Sequence, residues 1–244
     1  MDYSLYESIA VERKGRILCL TLNRPDHLIA VTPAMHAELA TIFADVRKDN
    51  EADVVTLTGA GRGFCAGADL KEPAPDRETA ERIFDEARDI IVNILELDKP
   101  LISGVNGPAA GLGATLALFA DIVIASDRAR IGDTHVKVGL AAGDGGAVIW
   151  PILVGVNKAK ELLMTGEVID AREALRIGLV NHVVPHEKLD EAVMEMAQRL
   201  ASGQTMAIRF TKKAVNQYLK WMLNQVFDYS LVLEYQCAMR MFPQ

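Results

Sequence analysis

Apolar and polar residues alternate over Ile9 to Glu12 and again over Ile17 to Leu22, with Lys14-Gly15 between them. Period-two alternation on both sides of a Gly turn predicts a β-hairpin. The spacing then changes. Met35, Leu39, Ile42, Phe43 and Val46 recur at helical intervals behind Thr32-Pro33, an N-cap residue followed by Pro at the first helical position. Val54 to Thr58 reads as a buried strand that ends in a Gly-rich segment. Residues 71–78, rich in Pro and charge, read as a surface loop. Ile83, Ala87, Ile90, Ile91, Ile94 and Leu95 mark a second helix, followed by strands at 101–105 and Ile122 to Ala125. This alternation predicts an α/β fold with largely buried parallel strands.

From about Pro185 the strand signals stop. Leu189, Val193, Met196, Ala197 and Leu200 give one amphipathic helix, and two more are expected over Ala207 to Trp221 and Met222 to Met239. The chain therefore divides into an α/β core, 1–185, and a helical C-terminal region, 186–244. That region is rich in Met and aromatic residues (Trp221, Met222, Phe227, Tyr229, Tyr235, Met239, Met241, Phe242), which suits packing on the core or a subunit interface.

At 244 residues and 50% hydrophobic content the chain can bury a sizeable core without disulfides or structural metal. A net charge of −7 argues against a nucleic-acid partner, which would require a basic footprint. Cys19, Cys65 and Cys237 are odd in number and widely spaced, with neither zinc nor disulfide spacing, so a reducing, cytoplasmic compartment is expected. No segment reads as a signal peptide or a membrane span.

Two Gly-rich segments carry the candidate chemistry. Gly59-Ala60-Gly61-Arg62-Gly63-Phe64-Cys65-Ala66-Gly67-Ala68-Asp69 follows one strand, and Val105-Asn106-Gly107-Pro108-Ala109-Ala110-Gly111-Leu112-Gly113-Ala114-Thr115 follows another. A Gly-rich bend can aim free backbone N–H groups at an oxygen that gains negative charge, and two such bends suggest a two-donor oxyanion hole. Cys65 reads either as a nucleophile or as a small buried residue; no His lies near it in sequence.

The order of these motifs resembles the crotonase superfamily, the enoyl-CoA hydratase/isomerase proteins. The resemblance rests on Leu22-Asn23-Arg24-Pro25, Phe64-Cys65-Ala66-Gly67-Ala68-Asp69-Leu70, the 105–113 bend, Ala120-Asp121-Ile122-Val123-Ile124-Ala125, Gly139-Leu140 with Gly143-Asp144-Gly145-Gly146, and Leu163-Met164-Thr165-Gly166-Glu167 through Gly178-Leu179-Val180. It implies a spiral of ββα units and a helical C-terminal trimerisation region, giving a homotrimer or a hexamer. It also implies an acyl-CoA thioester as substrate, with coenzyme A carried on that substrate and no separate cofactor or metal. The N–H groups of Ala68 and Leu112 would form the oxyanion hole. Ala66, Gly67, Ala68 and Gly111 would line the ligand, and Arg24 would meet a phosphate.

Two positions depart from the family pattern. Thr115 and His135 stand where typical hydratases carry the two Glu residues that move protons. What the chain offers instead is His135, an acid or base near neutral pH, with Asp144 nine residues on across a turn at Gly139 and Gly143. Asp144 reads equally as the N-cap of a helix over Ala147 to Val154, and His135 as a structural hydrogen bonder. Asp133 is a further acid/base candidate, and Thr115 is either a water-holding hydroxyl or helix filler. The expected activity is acyl-CoA processing through a thioester enolate, as lyase or isomerase, with His135 supported by Asp144. The alternatives are a CoA-independent β-diketone C–C hydrolase, which a His and an Asp in this stretch also resemble, and a non-catalytic acyl-CoA-binding protein.

Overall fold

The computed structural model describes residues 1–69, 71 and 76–240. The expected hairpin is present: β1 (Ile9–Lys14) pairs antiparallel with β2 (Ile17–Leu22) across Gly15 at φ 63°. The chain then repeats one pattern four times. A strand enters a large sheet, a short strand leaves it for a smaller sheet, and a helix returns. The repeats are β2, β3 (Ala30–Val31) and α1 (Pro33–Lys48); β4 (Val54–Gly59), β5 (Gly67–Ala68) and α2 (Arg77–Glu96); β6 (Leu101–Val105), β7 (Pro108–Ala110) and α3 (Leu112–Leu118); and β8 (Ile122–Ser126), β9 (Arg130–Gly132) and α4 (Gly146–Val154). This is the spiral of ββα units, present in structure although the sequence contains no exact repeat.

α5 (Val156–Thr165), β10 (Ile169–Asp170), α6 (Ala171–Arg176) and β11 (His182–Val184) follow, then α7 (Leu189–Ala201) and α8 (Thr205–Met239). The large sheet runs β1-β2-β4-β6-β8-β11, parallel throughout except at the β1 edge. β7, β9 and β10 form a second sheet, and β3 pairs with β5 in a third. Helices cover both faces of the large sheet, so β6 is buried along its whole length, as a parallel strand must be. On one face α7 lays Leu189, Val193 and Ala197 over Ile17, Val54, Ile102 and Ile124. On the other, the main core is built around Phe43, Phe64, Trp150 and the apolar stripes of α1 and α2. Truncating a fully buried aromatic such as Phe43 to Ala is expected to cost about 3–5 kcal/mol.

Helix starts follow side-chain chemistry. Thr32 accepts from the Met35 amide, as expected at an N-cap preceding Pro33. Asp76 does the same for Thr79, so α2 begins at Arg77, inside the stretch read as loop. The two helices expected after Ala207 are one. No Gly or Pro interrupts Thr205–Met239, so nothing breaks the backbone ladder at Trp221-Met222. Met241 and Phe242 lie outside the described residues, as do Leu70 and residues 72–75 of the loop. Among the described residues no helix is long and apolar enough to cross a membrane.

Candidate active site

The two Gly-rich bends meet edge to edge. Cys65 and Ala109 form a parallel bridge, and the Ala110 N–H donates to the Cys65 carbonyl at 2.9 Å. Glycine is required at this contact. A Cβ on Gly113 would lie 2.0 Å from the Cys65 oxygen, and one on Gly67, itself at φ +80°, would lie 2.8 Å from the Ala110 oxygen. The bends therefore place Gly67-Ala68 beside Ala110 and Gly111, just ahead of Leu112.

The backbone directions suit N–H donors. Asp69 N–H donates to the Val31 carbonyl in the β3–β5 pair, so by alternation along the strand the Ala68 N–H points away from β3. Leu112 is the first residue of α3, where an amide has no intrahelical acceptor. Among the described residues neither amide has a hydrogen-bond partner outside its own strand or helix. α3 has only seven residues, so its dipole adds little at the Leu112 amide.

A kink and an ion pair hold the rim of this bend. Leu28 and Ile29 both adopt left-handed φ (52° and 56°), unusual for a β-branched residue such as Ile29. The kink lets the Leu28 carbonyl accept from Ala66 N–H and the Arg24 carbonyl accept from Ile29 N–H. The Arg24 guanidinium ties the rim together by donating to the Ala30 carbonyl and pairing with Asp69 at 3.1 Å. Cys65 is fully buried and its thiol is pushed up to about 12 by desolvation, which makes it a packing residue and not a nucleophile.

Beside the bend lies a buried cluster of ionisable groups. One turn of tight helix, His135–Val138, ends at Gly139 in the left-handed region (φ 79°), and the chain reverses there as the sequence suggests. His135 is thereby placed between Asp133 and Asp144. Its Nδ1 lies 2.7 Å from Asp133 Oδ1, and its Nε2 lies 3.3 Å from Asp144 Oδ2. Thr115 completes the set by donating to Asp144 Oδ1 at 3.2 Å. The imidazole edge packs on the second bend: a Cβ on Gly111 would sit 3.4 Å from His135 Cε1 and 3.5 Å from Nε2. Thr115, His135, Asp144 and Gly111 thus converge.

Asp144 is not the N-cap of α4. The cap position is Gly145, without a side-chain bond, and the Asp144 carboxylate is turned inward to His135 and Thr115. Burial opposes charge on Asp144, but the adjacent imidazolium and the Thr115 hydroxyl outweigh that and keep it below its ordinary range. Burial likewise opposes charge on His135, yet its two carboxylate neighbours hold its pKa well above the usual value. The centre at neutral pH is therefore an imidazolium between carboxylates.

A residue outside these motifs joins the cluster. Glu234, from α8, places Oε1 3.9 Å from His135 Nε2. It is buried, and desolvation together with the nearby Asp144 charge raises it to about 8. The one sequence signal for it is an acid on the stripe of α8 that also carries Leu223, Phe227 and Leu231. The ligand atoms of Asp133, His135 and Asp144 lie within 4.8 Å of one another, close enough to hold a metal ion. Each ring nitrogen already faces its own carboxylate, however, which is the arrangement of a hydrogen-bonded proton centre.

A parallel-sheet spiral with backbone donors and a buried ionisable centre at its Gly-rich bends defines a crotonase-type α/β protein. Residues 12–239 match the sequence profile of the enoyl-CoA hydratase/isomerase family. The chain is 37% identical over 212 residues to a short-chain-enoyl-CoA hydratase of Clostridium acetobutylicum, covering 86% of this chain and 81% of the relative. It is 38% identical over 208 residues to the 1,2-epoxyphenylacetyl-CoA isomerase of Escherichia coli, covering 82% and 78%. The crystal structure of an enoyl-CoA hydratase/isomerase from Mycobacterium paratuberculosis superposes with a TM-score of 0.93 at 34% identity, covering 97% of this chain and 95% of that one. The chain belongs to the enoyl-CoA hydratase/isomerase family of the crotonase superfamily.

Proposed function

We propose that the protein is an acyl-CoA-processing enzyme that moves a proton at a carbon near a thioester carbonyl. The Ala68 and Leu112 N–H groups hold the carbonyl oxygen as it becomes an enolate. The observation that carries this reading is the seating of the His135 imidazole against Gly111, one residue before the Leu112 amide. Donors for a developing oxyanion and a buried proton centre are then neighbours, which is what enolate chemistry requires.

The charge states assign the roles. Asp144 is the ionised base that accepts the substrate proton, and the electron pair left behind moves onto the thioester oxygen. His135, an imidazolium with both nitrogens facing carboxylates, has no lone pair with which to act as the base. It neutralises Asp144 and supplies the returning proton, and Thr115 orients the Asp144 carboxylate. Proton removal at one carbon and return at another is isomerisation; in water addition to an enoyl thioester, Asp144 would instead take the proton from water and His135 would protonate the α-carbon. The hydratase and isomerase named among the relatives support the thioester class without choosing between these outcomes.

Coenzyme A enters on the substrate, and no separate cofactor or metal takes part in this reading. Arg24 serves as the clip that fixes the rim of the ligand site, alongside Ala66, Gly67 and Gly111. Exposed Phe210, Tyr218, Trp221 and Tyr229 on α8 support assembly of copies into a trimer or hexamer through the C-terminal region. The unpaired cysteines fit work in the cytoplasm. The His135–Asp144 pair also suits a β-diketone hydrolase that needs no CoA.

The test is calorimetric titration with CoA and acyl-CoAs, with turnover on a thioester panel by the parent protein and His135→Ala. CoA binding with turnover that falls at least 100-fold in His135→Ala supports the proposal. Undetectable CoA binding with cleavage of a β-diketone would replace it by the hydrolase reading. Tight binding without turnover would leave an acyl-CoA-binding protein.

A further inference from the structure

Glu234 and Ser230 lie one turn apart on α8, and both reach the turn that carries Asp144. Ser230 Oγ donates to the Gly143 carbonyl at 3.0 Å. The Glu234 side chain lies against Gly143 so closely that a Cβ there would sit 2.6 Å from Glu234 Cβ and 2.7 Å from Oε2. The other Glu234 oxygen faces His135 Nε2 at 3.9 Å. α8 itself is fastened to α2 next to this point, where Tyr235 meets the Phe84 ring edge-on at 5.2 Å and its hydroxyl donates to Glu81. Glu234 is thus held in place from both sides, and its Oε2 is buried without a hydrogen-bond partner among the described residues.

Three carboxyl groups, those of Asp133, Asp144 and Glu234, surround one imidazole. One positive charge does not offset three buried negative ones, so one carboxyl must keep its proton. Asp133 and Asp144 sit at 2.7 and 3.3 Å from the ring nitrogens, whereas Glu234 is farthest, which makes it the neutral member.

We propose that Glu234 is a positioning residue of the proton centre: as a neutral acid delivered by α8, it holds the Gly143-Asp144 turn together with Ser230 and sets the charge balance seen by His135. This rests on the reading of His135 and Asp144 as the proton-moving pair. Ionising Glu234 would place a second uncompensated negative charge beside the position of the enolate and disfavour its formation. The groups facing Glu234 are Asp144 from the turn before α4, and His135 and Asp133 from the segment after β9. From α2, Glu81, Arg88 and Glu96 pair with Tyr235, Asp228 and Lys220 of α8, leaving them on the flanks. On the far side of Asp144, His36 of α1 pairs with Glu86 at 2.8 Å.

The test follows the ring resonances of His135, assigned with His135→Asn, through pH 6–10 in the parent protein and in E234Q, with no ligand added. The expected parent curve has two inflections, one of them near pH 8, where Glu234 ionises. E234Q is expected to show a single inflection displaced to lower pH, since the second negative charge never develops. On any thioester turned over, E234A is expected to lose at least 10-fold in kcat, E234Q to recover most of it, and the alkaline limb near pH 8 to vanish in E234Q. Superimposable His135 curves in parent and E234Q would overturn the assignment. If that occurred while His135→Ala still abolished turnover, the proton-centre reading would stand and only the role of Glu234 would fall. Full turnover by His135→Ala would remove the reading itself.

Discussion

Replacing Glu234 by Gln has a stability consequence whose sign and size come from the site. A glutamate in the unfolded chain titrates near 4.5, whereas buried Glu234 holds its proton up to about 8. Folding between those limits takes up a proton, so the stability contribution of this group is fully present below pH 4.5 and is lost as pH rises toward 8. At pH 7 the parent protein forfeits about 3 kcal/mol, taking about 1.4 kcal/mol per pH unit. Gln is neutral at every pH and escapes that loss, but its buried amide donors need partners, a penalty of about 1 kcal/mol. E234Q should therefore be about 2 kcal/mol more stable than the parent at pH 7. In urea unfolding at fixed protein concentration this is an upward midpoint shift on the order of 0.5–1 M. The informative quantity is the gap between the two proteins at a series of pH values. It should widen from pH 5.5 to about 8 and flatten beyond. A gap that stays constant across that window, or E234Q less stable throughout, would show that the buried carboxyl does not carry the proton assigned to it.

Other consequences are equally specific. Gly113→Ala should abolish or severely destabilise the fold, because the new Cβ would meet the Cys65 carbonyl at 2.0 Å, two backbone segments that cannot both yield; the yield of folded protein and its melting temperature report this. Thr115→Val keeps the shape but removes the Asp144 hydrogen bond, and should lower kcat by about 10-fold with little change in KM, as expected for one lost bond to a charged group. Leu112→Pro deletes a backbone donor at a first helical position, where Pro is tolerated, so turnover should fall by about 100-fold or more relative to a Leu112→Ala packing control. Charged replacements of Phe210 and Trp221 on α8 should shift sedimentation from trimer or hexamer toward monomer; an unchanged monomer in parent and variants would remove the assembly proposal.

Much of the core was legible because each element carries a local physical signal. Val54 to Thr58 and residues 101–105 are short, mostly apolar runs with β-branched residues, and both lie inside the parallel sheet. Thr32-Pro33 announces its helix by cap chemistry alone. The His135–Asp144 approach was legible through Gly139, whose left-handed backbone reverses the chain. Other features depend on contacts that no local pattern records. Asp144 looks like an N-cap because a carboxylate just before an apolar run usually is one; tertiary pairing with His135 and Thr115 overrides that preference. Glu234 lies on a helix far along the chain, and only the packing of α8 against the 141–145 turn brings it to the site. The split of α8 into two helices had no breaker behind it, since Trp221-Met222 is as helix-compatible as its flanks.

The most direct measurement of the central claim is exchange of the α-hydrogens of saturated acyl-CoAs with deuterium in D2O, followed by proton NMR. Enolate formation alone drives it, whatever the finished reaction. Exchange well above the buffer rate, reduced at least 100-fold in Asp144→Asn and Leu112→Pro, is the predicted result. Acyl-CoAs that bind tightly yet keep their α-hydrogens at the buffer rate would contradict the account.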